Sequence, residues 1–330
     1  MITSLIRSKQ PVHSAWNQER LDRKCAIALG QAIDTSTWSC YSSALNSYLD
    51  FIKNHNFPVE PTPNTLSYFT FYMSYYIKPS SANSYLSGIC QKLEPFFPDV
   101  HQHHKSLLIH HTLKGCKQLH VSPTKRKRAL TRDDLLLVIQ HYQSSYLHDD
   151  LLFVTQLLTG FFALLQLGEL TSPDDTRLCN PSKVVKRLSL SINDNSFLFF
   201  LPSHKGDKFF EGNTIVLMKS PYPNIPVFQH FQTYLLSCDH LFPFSSPLWL
   251  TSNGSVPTRS FFLQHLHFFF GDSLGGQSMC ARGATNLALC GTPPSLIQPV
   301  GRWTSDSFHI YVHKHPILIQ ALLHSSSLSP

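Results

Sequence analysis

From Thr35 onward, apolar residues recur at helical spacing: Trp38, Tyr41, Leu45, Tyr48, Leu49 and Ile52, until PVEPTP interrupts the run. The same period returns over residues 64–77, 82–94 and 105–119, with Pro- or Ser-rich turns between them. Apolar stripes of this length need one another for burial, so the pattern predicts an all-α domain over residues 35–120. Residues 1–34 show no sustained period and are expected to form a flexible arm, loose or partly helical.

Beyond residue 130 the pattern changes. Thr131 followed by Asp134 opens a helix in the manner of a capping box. LLFVTQLLTGFFALLQL, residues 151–167, predicts a buried helix that runs on to residue 170. Thr155, Gln156, Thr159 and Gln166 interrupt it, and Asp149, Asp150 and Glu169 bracket it. It therefore reads as a core helix rather than a membrane span, which needs about 20 apolar residues. VVKRLSLSI, NSFLFFLPS and NTIVLMK follow as strands, the first two joined by a tight NDN turn. Leu188, Leu190 and Ile192 alternate as on a half-buried strand. Helical spacing resumes at 226–237, 258–270, 277–290 and 293–300. Ser305 then caps a short helix with Phe308, Tyr311, Val312 and His315 on one face. The predicted fold is α+β and mostly α: a helical N-terminal domain, a basic linker at 121–131, and a second domain at 132–325 with a small antiparallel sheet.

Charge narrows the choice of partner. The chain has 27 Lys+Arg against 20 Asp+Glu, a net +7 with its 19 His neutral, which favours a polyanion. Lys125, Arg126, Lys127 and Arg128 concentrate that charge between the two domains. Such a run suits a solvated linker, a nuclear address or a strap that neutralises phosphates. Lys114, Lys117, Lys186, Arg187 and Lys208 are further phosphate contacts to consider. The eight cysteines form no CxxC pair and the N-terminus carries no leader-like apolar run, so reduced thiols in an intracellular compartment are expected. Residues 101–120 hold His103, His104, His110, His111, Cys116 and His120. Adjacent histidines diverge around a helix and no zinc-finger spacing occurs, so no metal is expected there. Cys280 and Cys290 lack an ordered His–Asn set and read as buried thiols. GDSLGG lacks the Lys-Ser/Thr of a phosphate loop.

Four separated pieces occur in a telling order: LTGFFALLQLGELT, the hairpin PSHKGDKF, GQSMCARGATNLALCG, and IQPVGRWTSDSFHIY. Their order and spacing, over residues 35–316, resemble the tyrosine recombinase (phage integrase-like) family, particularly the recombinases of fungal Crypton-type mobile elements. The resemblance implies a SAM-like helical core-binding domain and a catalytic domain that together clamp double-stranded DNA. It implies strand breakage and rejoining through a 3′-phosphotyrosyl intermediate, with no cofactor, no metal and no membrane. A homo-oligomer, a tetramer on DNA, is also implied, joined through a C-terminal helix for which ILIQALLHS, residues 317–325, is suited.

Carried over by position, Tyr311 takes the place of the nucleophile, Lys205 that of the hairpin general acid, and Glu169 that of an architectural support. The late His/Trp position falls on Arg302 by spacing and on Trp303 by residue type; Trp303 is favoured. The chain departs from the pattern at three places. Gln166 stands where the family has its first arginine, and Gln277 and Cys280 replace the histidine and second arginine of H-x-x-R. Arg282 lies two residues further on, about 200° around a helix, and is no simple substitute.

Losing one preorganised charge donor slows such a reaction ~10²–10³-fold. Affinity for duplex DNA, spread over many phosphate contacts, suffers less. The favoured expectation is therefore a DNA-binding, nuclear protein of mobile-element origin with a degenerate site. One alternative is an active recombinase using Lys205, Arg282, Arg302 and Tyr311. Another is a protein-interaction module. Reverting all three departures at once, by Gln166→Arg, Gln277→His and Cys280→Arg, is expected to recover cleavage.

Overall fold

The computed structural model describes residues 13–120, 127–205, 207, 211–219, 222–276, 278–289 and 291–303. Tyr311, Gln277, Lys125, Arg126, Lys208 and the segment 317–325 lie outside the described residues, as does the side chain of Arg282. The chain divides into two compact units, Met1–Thr124 and Lys125–Pro330.

The first unit is helical: α1 Gln18–Gln31, α2 Thr35–Asn54, α3 Pro63–Tyr76, α4 Pro79–Leu93, α5 Val100–His104 and α6 Leu107–Leu119. Local chemistry sets most of these boundaries. The Asp34 carboxylate accepts from the Ser36 N–H at the start of α2, and Thr62 caps α3 ahead of Pro63. Pro79 forces Lys78 into extended backbone, which ends α3 and starts α4 three residues before the expected position 82. Tyr48, Phe51, Leu66, Phe69, Leu86, Ile89 and Ile109 form the core. One element, α5, was not foreseen; α1 lies within the arm expected to be loose or partly helical.

The second unit contains α7 Arg132–His141, α8 His148–Phe162, α9 Leu167–Leu170, α10 Val227–Leu241, α11 Arg259–Phe270, α12 Ser278–Leu289 and α13 Pro294–Val300. Its strands β1 Ser191–Ile192, β2 Ser196–Leu201 and β3 Asn213–Met218 form an antiparallel sheet in the order β1-β2-β3. Ser191 pairs with Leu198, and Phe199 with Ile215. Alternation along β2 sends Phe197, Phe199 and Leu201 into the core, where Phe197 stacks on Phe231 of α10 at 3.8 Å. Buried α8 is the central element, and no described helix is long and apolar enough to cross a membrane.

Two expectations need correction. The first strand is only two residues long, because Arg187–Ser189 forms a 3₁₀ turn. The Leu248 N–H bonds to the Val185 carbonyl and the Arg187 N–H to that of Ser246, so this stretch pairs with a loop and Leu188 is 97% exposed. The apolar run from 151 to 170 is not one helix either. It ends at Phe162, Leu164 turns left-handed at φ 54°, and α9 begins afresh at Leu167.

Candidate functional site

The break after α8 builds the site. A helix end leaves carbonyls without partners, and those of Ala163 and Leu164 point at Arg302. The Arg302 guanidinium donates to the Ala163 carbonyl at 3.4 Å, the Leu164 carbonyl at 3.1 Å, the Val300 carbonyl at 3.1 Å and the Glu169 carboxylate at 2.9 Å. Glu169 also accepts from the Gln166 N–H at 2.9 Å, which fixes the start of α9. Side-chain exposure in the pair is 7% for Arg302 and 4% for Glu169. Burial pushes the Glu169 carboxyl above its ordinary range; the guanidinium, the Gln166 N–H and His204 oppose that rise. The pair is held by these directed bonds, although Glu169 Oε1 and Arg302 Nε are buried without a hydrogen-bond partner.

Above this pair lies a small apolar cluster of Leu164, Cys280, Ala284 and Ile297, against which Trp303 packs. Close crossing of α8 and α12 requires Gly283, since a Cβ there would sit 2.2 Å from Leu164 Cδ2 and 2.4 Å from the Phe161 carbonyl oxygen. Cys280 is 5% exposed, inside the cluster. Gln166 is half-buried at the edge. Lys205 is exposed in the segment between β2 and β3, directly after His204.

The structure thus brings together Gln166, Glu169, Cys280, Arg302 and Trp303 from three stretches of chain. It also corrects one expectation: Arg302 is no free pocket cation but an internal clamp, with its guanidinium turned onto Glu169 and main-chain oxygens. His204 was missed; adjacency to Lys205 in the hairpin was the only signal for it.

The basic residues have separate fates. Lys114 and Lys117 are exposed on α6, and Lys186 is exposed before the 3₁₀ turn. Lys127 Nζ donates to the Leu274 carbonyl at 3.2 Å, and the Arg128 N–H to that of Ser273 at 2.9 Å. Arg128 grips Asp134 with both guanidinium nitrogens, at 2.6 and 2.9 Å, and Arg187 pairs with Asp239. The described half of the basic linker is therefore bonded down within the second unit. Among the described residues no group of three or more His, Cys, Asp or Glu is placed to hold a metal ion.

No protein-family model matches the chain, and no curated protein matches its sequence. Solved structures do match. The XerH site-specific recombinase in a post-cleavage complex with palindromic difH substrate is 15% identical, with a TM-score of 0.61 over 88% of this chain and 79% of that one. The Tn1549 transposon integrase in complex with transposon right end DNA is 13% identical, with a TM-score of 0.54 over 89% of this chain and 99% of that one. A lambda integrase dimer bound to a COC′ core site is 13% identical, with a TM-score of 0.51 over 89% and 76%. The chain has the tyrosine recombinase fold, mostly helical with a small three-stranded antiparallel sheet.

Proposed function

We propose that this protein binds duplex DNA in the manner of a tyrosine recombinase but cleaves it poorly or not at all. The observation that carries this reading is the direction of Arg302: the one guanidinium described at the site faces inward, onto Glu169. Gln166 and Cys280 stand at the positions that the family resemblance assigns to arginines, and neither brings positive charge. A phosphoryl transition state needs bidentate cations, and Tyr311 with Lys205 alone offers it a nucleophile and an acid without them. The alternative recombinase that recruits Arg302 is disfavoured, because freeing that side chain strands a buried carboxylate.

Support for DNA as partner comes from the net +7, the exposed Lys114 and Lys117, and the fold shared with proteins solved on their DNA sites. Mobile-element origin, with the likeness to Crypton-type recombinases, and a nuclear location suggested by Lys125–Arg128 complete the reading.

A nicked suicide duplex with randomised flanks tests it. The expected result is salt-sensitive binding, with affinity falling steeply as ionic strength rises, and no covalent adduct. An adduct that disappears in Tyr311→Phe overturns the impaired-site reading, and salt-independent or absent binding overturns DNA as the partner.

A further inference from the structure

The first unit carries an open groove of about 670 Å³ lined by Phe, Tyr and His side chains alone. The sequence of α3 makes it. Leu66, Phe69, Thr70 and Ser74 turn inward, while Tyr68, Phe71, Tyr72 and Tyr75 follow at i, i+3, i+4 and i+7 on the other face. Tyr68 is 54%, Phe71 43% and Tyr75 66% exposed. From α2, Phe51 and His55 support this ladder, 5.2 and 5.1 Å from Tyr72 between ring centres, and Phe71 lies 5.3 Å from Tyr75. The rings already hold one another in place, which lowers the ordering cost of taking a ligand.

Charge beside the groove narrows what that ligand is. The Ser67 hydroxyl meets that of Thr112 at 2.7 Å, and the Tyr75 ring lies 5.0 Å from the ring of His120. Both pairs are 45 residues apart, so α3 and α6 run parallel and level. Exposed Lys117 therefore stands level with Tyr72, and exposed Lys114 with Phe69. Exposed Lys78 follows Tyr75 by three residues, and neither α3 nor α6 contains an Asp or a Glu. On its α6 side the groove thus has cations and no acid. Ring faces flanked by cations suit a ligand that carries both planar rings and negative charge, as a nucleic-acid strand does.

The same lining decides between paired and unpaired bases. In a duplex only the base edges reach the grooves, and reading them takes side chains such as Arg, Asn or Gln. The groove has none of these in its lining. Ring faces are what an unpaired base stacks on, whatever its sequence. Tyr68 to Tyr75 spans seven residues of helix, about 10 Å, which is the run of about three nucleotides at ~3.4 Å each.

We propose that the aromatic groove between α2 and α3 stacks the unpaired bases of single-stranded DNA, with the phosphates toward Lys78 and Lys117. This is a second nucleic-acid site, built without any residue of the second unit, and it goes beyond the duplex reading.

Fluorescence anisotropy of the full chain tests it with a labelled oligothymidylate and an abasic strand of the same length, which keeps every phosphate and lacks every base. The oligothymidylate should bind roughly tenfold more tightly than the abasic strand or better, tenfold being about 1.4 kcal/mol. Phe71→Ala/Tyr75→Ala should remove that difference and leave affinity for duplex unchanged, whereas Phe71→Trp/Tyr75→Trp should keep it. Both positions are exposed, and circular dichroism checks that the variants remain folded. An abasic strand that binds as tightly, an alanine variant that holds oligothymidylate like wild type, or a groove that takes a proline-rich peptide and no strand each overturns the proposal. Loss of duplex binding with base-dependent strand binding intact counts against the duplex reading alone and supports this one.

Discussion

Beneath the site in the second unit, Glu169, Arg302 and the carbonyls of Ala163 and Leu164 share a set of buried bonds; Cys280 lies in the apolar cluster beside them, while at the rim Gln166 presents no charge and Lys205 stands in solvent. The contrast separates two kinds of requirement. Removing one member of the floor strands a buried ion and unties the end of α8, so folding itself demands the charges. Nothing in the fold asks for charge at the rim, where a guanidinium would serve only a bound phosphate.

The largest effect should follow from breaking the floor. Arg302→Gln leaves Glu169 buried without a counter-ion and should destabilise the protein by about 3–5 kcal/mol in urea unfolding. The sign with pH follows from burial, which already raises the Glu169 carboxyl, and raises it further once the guanidinium is gone. The folded variant then holds a proton that the unfolded chain releases near pH ~4.3, so its deficit should be smallest below that pH and grow as pH rises. A deficit that is flat with pH contradicts an ionised Glu169–Arg302 pair.

A somewhat smaller effect should separate Gln166 from Cys280, the two positions that the family resemblance assigns to arginines. Cys280→Arg places a charge among Leu164, Ala284 and Ile297 and should cost about 3 kcal/mol, whereas Gln166→Arg, half-buried at the rim, should change stability by no more than about 0.5 kcal/mol. Thermal melts of the two single variants check this. Equal losses would mean that the distinction between interior and rim is misplaced. The same result bears on reverting all three positions together, because Cys280→Arg then undermines the cluster it is meant to serve.

The smallest effect lies at the bonded-down linker. Burial pushes the Asp134 carboxyl up, but Arg128 and the Thr131 N–H outweigh it and hold the group below its usual range. A depressed carboxyl stabilises the fold above its unfolded value of about 3.9 and loses that contribution as pH falls through the folded value. Arg128→Ala should therefore cost about 0.5 kcal/mol at neutral pH, given a partly exposed pair, and nothing measurable in acid well below pH ~3.9.

Much of the architecture was legible in the order of residues. Helices α2, α3, α6, α10, α11 and α13 fall within a few residues of their expected spans, because amphipathic spacing and cap chemistry act over one or two turns. The capping box at Thr131 and Asp134 rests on a similarly local choice. The grouping of Gln166, Glu169, Cys280 and Trp303 was readable only through the family resemblance, since they lie on separate stretches of chain.

The break in the run from 151 to 170 could not be read in advance. Ala163, Leu164, Leu165, Gln166 and Leu167 are good helix formers, so propensity alone continues the helix through Leu164. What turns Leu164 left-handed is burial of its side chain against Cys280, Ala284 and Ile297, along with the bonds that Arg302 makes to Ala163 and Leu164 from 138 residues away. Leu188 failed as a strand residue for the same kind of reason, its neighbours pairing with residues 246–248. Periodicity and capping are properties of adjacent residues, so the chain itself determined its helices, its sheet and its charge. Whether a given arginine faces a ligand or a buried carboxylate depends on which distant groups come within about 3 Å, and only tertiary packing decided that Arg302 points inward.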